Sequence, residues 1–455
     1  MKVAKFGGSS LASAAQLQKV CEIALADPER KIIVVSAPGK RDAADTKVTD
    51  MLIAAAKARL AGQAGDVEIA RVIERFAAIA AELGMPADAT TPIAEDLRQR
   101  MAMPTDDAGL FMDTLKAAGE DNCAKLVAAY LQSRGVAASY IDPREGGMIL
   151  SEEAGNARVL DESYPLLHKL RDLPGLLIFP GFFGYAKSGK VVTFPRGGSD
   201  ITGAILAAAV QADVYENFTD VDSVFAAHPG IVDNPRPVTE ITYREMRELA
   251  YAGFSVFHDE ALEPVFRAHI PVAVKNTNNP AAPGTRIVPE RDFHANPVVG
   301  IAATGGFCNV FVSKYMMNRE VGFGRRLLQI FEDAGIPFEH MPSGIDNLSV
   351  IVSESAFTPE IEAQMLAQIR EDLQADDTAV LHDLALVMVV GEGMRHTVGL
   401  AARACGAFAR ARINIEMINQ GASEVSLMFG IDSAHLRDAV RSLYEEFFAE
   451  ARVTA

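Results

Sequence analysis

Two glycine pairs, each next to a cation, are the residues best equipped for chemistry in this chain. Lys5-Phe6 ends a short apolar run, and Gly7-Gly8-Ser9-Ser10 follows it into a helical pattern that continues through Ala26. Glycine lets a backbone approach an anion closely, and the first turn of a helix presents unpaired amides with a partial positive charge. A lysine at such a turn can neutralise a phosphoryl group in transfer, although the same residues also make a tight strand–helix turn beside a solvated lysine. Arg196-Gly197-Gly198-Ser199-Asp200 repeats the design ahead of an Ala-rich helical stretch at 201–211. Arg196 offers a planar fork suited to a carboxylate. Ser199 and Asp200 suit an anion site and equally suit the N-cap of that helix. Thr219-Asp220-Val221-Asp222 follows a third apolar run and could contact a ribose, hold Mg²⁺ through water, or cap a turn.

Other patterns lead nowhere. Gly184–Lys190 matches most of a phosphate-binding Gly-x-x-x-x-Gly-Lys loop, but Val191 stands where a metal-binding Ser or Thr belongs, and a hairpin turn is expected there. Gly391-Glu392-Gly393 lacks the third glycine and the downstream acid of a dinucleotide site. The nine histidines show no ligand spacing, and no residue is assigned to a metal. Cys21, Cys123, Cys308 and Cys405 are scattered, which fits small buried residues in a reducing compartment. A formal charge of −17 argues against nucleic-acid or anionic-membrane partners. No apolar run reaches the ~18 residues needed to cross a bilayer, and the first residues lead directly into the Gly-Gly turn, so a cytoplasmic location is expected.

The elements that must position these residues alternate. Apolar runs at 3–6, 32–36, 137–141, 213–218 and 272–275 read as strands separated by helices, with an Ala/Leu/Glu/Arg-rich helical region at 50–118. Residues 176–194 read as hairpin strands around the turn 187–190. Such alternation implies α/β architecture, a mainly parallel sheet sandwiched by helices. At ~150 residues per domain the length suggests about three domains. The Pro- and Asn-rich stretch 276–297 reads as the end of the first and a linker. Beyond it the chain repeats itself at a shift of 77 residues: Val321-Gly322 meets Val398-Gly399, Phe331 meets Phe408, Ala334 meets Ala411, Ile336 meets Ile413, Glu339 meets Glu416 and Gly344 meets Gly421. Each copy reads as an α+β unit of βαββαβ type. The expected division is 1–293, 298–380 and 381–455, with strands exchanged between the last two.

In this order, Lys5–Ser10, Val34-Val35-Ser36-Ala37, Gly119-Glu120, Arg196–Asp200 and Thr219–Asp222 resemble the signature series of the aspartokinases, enzymes of the amino-acid-kinase fold that carry two C-terminal ACT domains. The resemblance spans essentially the whole chain, the tandem repeat included. It implies transfer of the γ-phosphoryl of ATP, with Mg²⁺ held mainly by the phosphates, onto the side-chain carboxylate of L-aspartate. An aspartate carboxylate is already ionised at neutral pH, so no general base is needed. Positioning and charge neutralisation are. The resemblance gives Lys5 and Asp200 catalytic roles. Gly7, Gly8, Ser9, Thr219, Asp220 and Phe225 fall on the nucleotide side, and Thr49, Glu120, Arg196 and Ser199 on the substrate side. Arg196 would fork onto the α-carboxylate and Glu120 would accept the α-ammonium.

It also implies feedback regulation and a homo-oligomer assembled through the ACT domains, with lysine or threonine as effector. Met317, Glu320, Gly322, Phe323, Glu339 and Ser343 match the effector zone. The sequence departs from the family at several points: Pro195 precedes Arg196, His228-Pro229-Gly230 lacks an arginine, and Gly253-Phe254-Ser255 lacks a lysine. Either Lys190, Lys275 or Arg286 replaces these two cations, or ATP binds less tightly, or the chain belongs to a divergent branch. The alternative reading is a catalytically impaired amino-acid sensor.

Overall fold

The N-terminal apolar run forms the strand Lys2–Phe6, with all but its first residue buried. In the computed structural model, which describes residues 1–254, 261–421 and 425–449, this strand lies near the middle of an eight-stranded sheet. Across the sheet the order is Glu240–Thr242, Thr285–Val288, Val272–Asn276, Val214–Thr219, Lys2–Phe6, Arg30–Val35, Leu176–Pro180 and Ala138–Tyr140. Every neighbouring pair is parallel except Val272–Asn276 with Thr285–Val288. Parallel pairing sends the ends at Phe6, Val35, Pro180 and Thr219 to one edge, where ligands of open α/β sheets bind.

Side chains alternate between the two faces. Phe6, Val35 and Phe218 face a core built with the helices Ala14–Ala26, Val48–Leu60, Asp66–Glu82 and Ala108–Ser133. Lys5 and Asn217, neighbours in register, start on the other face, which the helix Gly198–Ala209 covers. The helical region expected at 50–118 is there, as Val48–Leu60, Asp66–Glu82, Thr91–Met101 and the start of Ala108–Ser133.

The expectation for 176–194 needs correcting. Leu176–Pro180 is fully buried and joins the parallel sheet between Arg30–Val35 and Ala138–Tyr140. Only Phe183–Ala186 and Val191–Thr193 form the hairpin, in a separate small sheet with Ile149–Leu150. Five consecutive buried residues suit a strand covered on both faces, which a half-exposed hairpin strand is not.

The chain divides into two compact units. One holds Met1–Val224, Pro237–Ala250 and, among the described residues, 261–291. The other holds Phe225–Arg236, Tyr251–Phe254 and the chain from Asp292 onward. The last boundary between the two units falls after Arg291. That the segment 225–236 groups with the second unit was not anticipated. It is tied in there by the Ile301 amide donating to Ala226 O at 2.7 Å, by Arg441 Nε donating to Ile231 O at 2.9 Å, and by burial of Ala227 and Val232.

Within the second unit the repeat appears element by element. Helices Phe323–Asp333 and Leu400–Arg410 start 77 residues apart, as do Pro359–Leu373 and Leu436–Phe448. Gly322 and Gly399 precede the first pair in the left-handed region, at φ 81° and 90°. The two 14-residue strands Gly300–Ser313 and Asp377–Val390 are antiparallel along their length, Gly300 opposite Val390 and Ser313 opposite Asp377. Asn347–Ser353 extends the first from Phe307 onward, and Ser426–Asp432 extends the second from Leu384 onward. Each long strand thus serves both copies, and a cut at 380/381 passes through one of them. The two copies keep separate cores, one around Leu327 and Phe331 and the other around Ala404 and Phe408.

Candidate active site

The site is assembled where the strand Lys2–Phe6 ends. Lys5 is largely buried, and its Nζ lies 2.6 Å from Asp200 Oδ1. Asp200 sits in the first turn of Gly198–Ala209, the helix that opens after the Gly197-Gly198 turn, with Gly197 at φ 82°. The two glycine motifs singled out in the sequence therefore meet through this ion pair. Ser199, next in the turn, is buried against Gly181 so closely that a Cβ there would lie 2.6 Å from Ser199 Oγ.

Gly7 and Gly8 open a short 3-10 turn, Gly8–Leu11. The Gly7 amide donates to Phe218 O at 3.2 Å, and Ser10 Oγ is 2.7 Å from Thr277 Oγ1, so the turn is fixed to both neighbouring segments. Gly39 packs on Gly8: its amide donates to Gly8 O at 2.8 Å, and a Cβ on Gly39 would stand 2.6 Å from the Gly8 carbonyl carbon. Sequence reasoning missed Gly39. Its signal, a glycine shortly after the Val34–Ala37 segment, acquires meaning only once the two loops are brought together.

Glu120 lies mid-helix in Ala108–Ser133 and is buried. The backbone amide of Ala37 favours the ionised form of its carboxylate, while Oε2 has no hydrogen-bond partner among the described residues. Burial pushes its carboxyl up to about 8, opposed by that amide and by the charges of Lys116 and Lys5. The neighbouring Gly119 permits this approach, since a Cβ there would come within 2.8 Å of Ala37 Cβ. A buried carboxylate oxygen without a donor suits a cationic group brought by a ligand. Thr49 is half-buried in the first turn of Val48–Leu60, the helix that packs against Ala108–Ser133. Arg196 is exposed and has no ion pair among the described residues.

Thr219 and Asp220 follow the neighbouring strand, with Thr219 Oγ1 donating to Asp220 Oδ1 at 3.2 Å. Asp222 accepts from Asn276 and Asn279 at 2.8 and 3.2 Å. Phe225 falls in the second compact unit, whereas Thr219 and Asp220 fall in the first. None of the candidate replacement cations stands with Lys5. Lys190 is paired with Asp107 at 2.8 Å beside the hairpin turn. Lys275 and Arg286 are one position out of phase with the row Lys5, Asn217, Val274 and Thr285, so their side chains start on the opposite face of the sheet. Ser255 lies outside the described residues. Among the described residues no group of three or more His, Cys, Asp or Glu side chains is arranged to hold a metal ion, and no helix is long and apolar enough to cross a membrane.

In the second unit, Met317 and Phe323 are buried in the core of the first copy. Glu320 is held by Lys314 at 2.7 Å and by Arg326, which keeps its carboxyl below the usual range. Glu339 accepts from the Tyr251 hydroxyl. Of the six expected effector residues, Gly322 and Ser343 are exposed, and the Gly322 carbonyl accepts from the Arg326 amide at 3.0 Å.

The Lys5–Asp200 pair joins two glycine turns at the strand ends, and this part of the chain is of the amino-acid-kinase class. Residues 1–276 match the model of the amino acid kinase family, and residues 387–447 match that of the ACT domain. The chain is 56% identical to aspartokinase 3 of Bacillus subtilis over 99% of both sequences. It superposes on the crystal structure of Clostridium acetobutylicum aspartate kinase with a TM-score of 0.86, at 35% identity over 98% of this chain and 100% of the other. With E. coli aspartokinase III, solved in complex with lysine and aspartate in its T-state, the TM-score is 0.78 at 25% identity, over 98% and 99% of the two chains. The chain belongs to the aspartokinase family.

Proposed function

We propose that the chain transfers the γ-phosphoryl of MgATP to the side-chain carboxylate of L-aspartate, forming 4-phospho-L-aspartate, the entry to lysine, threonine and methionine biosynthesis in the cytoplasm. The observation that carries this reading is Lys5 Nζ, held 2.6 Å from Asp200 where the Gly7-Gly8 turn begins. The nucleophile arrives ionised, so the protein has to bring two anions together and neutralise the charge between them. Lys5 stabilises the transferring phosphoryl, and Asp200 fixes the direction in which Lys5 points. Gly7, Gly8 and Ser9 line the phosphoryl path, and Thr219 and Asp220 serve the nucleotide. Arg196 forks onto the α-carboxylate, Glu120 takes the α-ammonium on its unpartnered oxygen, and Thr49 and Ser199 complete the substrate side.

Regulation follows from the ACT pair. E. coli aspartokinase III was solved with lysine bound, and an amino-acid effector, lysine or threonine, is proposed here, acting on a homo-oligomer formed through these domains. An effector ammonium that used Glu320 would have to displace Lys314 or Arg326, so the backbone around Gly322 and the Ser343 hydroxyl are the more accessible contacts.

One observation favours a second reading, an amino-acid sensor with an impaired kinase: Lys190, Lys275 and Arg286 do not stand with Lys5. Trapping acyl phosphate with hydroxylamine separates the two. ATP-dependent hydroxamate from aspartate and not glutamate supports the kinase, and its suppression by lysine or threonine identifies the effector. A folded protein that binds either amino acid and forms no hydroxamate supports the sensor.

A further inference from the structure

Asp200 receives a second hydrogen bond from a residue that the motif series does not include. Asn217 is the register neighbour of Lys5 on the adjacent parallel strand, so the two side chains leave the sheet together on the face covered by Gly198–Ala209. Asn217 is 1% exposed. Its Nδ2 donates to Asp200 Oδ1 at 2.7 Å, the same oxygen that meets Lys5 Nζ at 2.6 Å. Two residues earlier on that strand, the Tyr215 hydroxyl donates to Asp200 O at 3.1 Å. Tyr215 is itself fixed by contact with Gly203, where a Cβ would lie 2.4 Å from the Tyr215 hydroxyl oxygen. The strand Val214–Thr219 thus holds both the main chain and the side chain of Asp200.

The chemistry of this arrangement is specific. A carboxylate bound by a lysine alone can pivot and carry the ammonium with it. A second, neutral donor on the same oxygen fixes the rotation of the carboxylate without competing for the lysine's charge. In a buried site an amide is suited to this, because it adds a donor and no net charge. An apolar residue of similar size would fill the space and lose the donor.

We propose that Asn217 is a positioning residue for phosphoryl transfer, acting through Asp200 to aim Lys5. The inference rests on the reading of Lys5 and Asp200 given above. Its consequence is a loss in kcat with little change in KM, because the contact orients the transferring group and touches neither substrate. A misplacement on the order of 1 Å can cost about 100-fold in rate, so Asn217→Leu is expected to lower kcat roughly 10- to 100-fold, with the KM values for aspartate and ATP within about threefold of wild type.

The test is a double-mutant cycle with Asp200→Asn, read by hydroxamate formation on the full chain, with thermal unfolding and circular dichroism of each variant. If Asn217 acts through Asp200, Asn217→Leu has little further effect once Asp200 is replaced. A second variant covers failure of Asn217→Leu to fold. Asn217→Asp places a carboxyl among Lys5, Asp200 and Tyr215. Ionised, it competes for Lys5; protonated, its O–H donates to Asp200 as the amide does. The ratio of its kcat to that of wild type is therefore expected to rise at least severalfold as pH falls from about 8 to 6. A folded Asn217→Leu variant with kcat within twofold of wild type overturns the proposal. So does an equal loss in the Asp200→Asn background, or a pH-independent ratio for Asn217→Asp. Absence of aspartate-dependent hydroxamate from the wild-type chain would instead overturn the kinase reading on which the inference rests.

Discussion

Lys5 and Asp200 are 195 positions apart in sequence and 2.6 Å apart in space, one at the end of a central strand and the other in the first turn of the helix covering it. Both side chains are mostly shielded from water, so the pair is stronger than an exposed ion pair, and removing one partner strands the other. The helix N-terminus adds positive potential near the anions to be handled.

Asp200→Asn should therefore act mainly on the chemical step. The substituted side chain still fills the site but no longer neutralises Lys5. We expect kcat to fall ~100-fold or more and aspartate affinity to move less than threefold. Steady-state kinetics alongside equilibrium binding checks this. A larger change in binding than in kcat would place Asp200 on the substrate side.

Glu120 makes stability depend on pH. Its folded carboxyl is pushed up to about 8, above the unfolded value of about 4.3. The free folded protein therefore holds a proton that the unfolded chain releases between these values. This contribution to stability is fully present below about pH 4 and is lost progressively as pH rises from there through about 8, by on the order of 5 kcal/mol in total. Glu120→Gln should flatten this part of the denaturation profile. An aspartate ammonium beside Glu120 favours ionisation, so binding near pH 7 should release close to one proton. Calorimetry in buffers of different ionisation enthalpy reads that number directly, and a value near zero would count against the ammonium contact.

Gly39 should be intolerant of a side chain. The Cβ introduced by Gly39→Ala would lie 2.6 Å from backbone carbon of Gly8, so the phosphoryl-side turn has to move. We expect kcat/KM for ATP to fall at least 10-fold while the protein stays folded, measured by kinetics together with thermal unfolding.

Gly322 and Gly399 offer a test of the internal symmetry. Both have a left-handed φ and nothing within 4 Å of an added Cβ. Alanine at either position should cost about 1 kcal/mol from backbone strain alone. Chemical denaturation of the two variants should show equal losses to within a few tenths of a kcal/mol.

The parts of this molecule legible in the sequence are those encoded locally. Gly7-Gly8 and Gly197-Gly198 marked their turns because glycine before a helix permits close backbone approaches and left-handed conformations that other residues disfavour. The 77-residue repeat was visible because each copy must build the same small core. What the sequence did not reveal depends on contacts between distant segments. Leu176–Pro180 read as a hairpin strand because its neighbours Arg30–Val35 and Ala138–Tyr140 are far away in the chain. The grouping of 225–236 with the second unit depends on Ile301 and Arg441. Asn217 carried no signal, since a polar residue in a strand acquires a role only when register places it beside Lys5.

The central claim, that Lys5 stabilises direct transfer of the γ-phosphoryl from ATP to the aspartate carboxylate, is tested most directly by a single-turnover experiment with γ-labelled ATP and excess aspartate. Wild type and Lys5→Met are compared, and the label is followed from ATP into 4-phospho-L-aspartate by rapid quench. Label transfer to the aspartate carboxyl is expected in the wild type, with a rate at least ~1000-fold lower in a folded Lys5→Met that still binds aspartate. Transfer by Lys5→Met at a rate near that of wild type would contradict it.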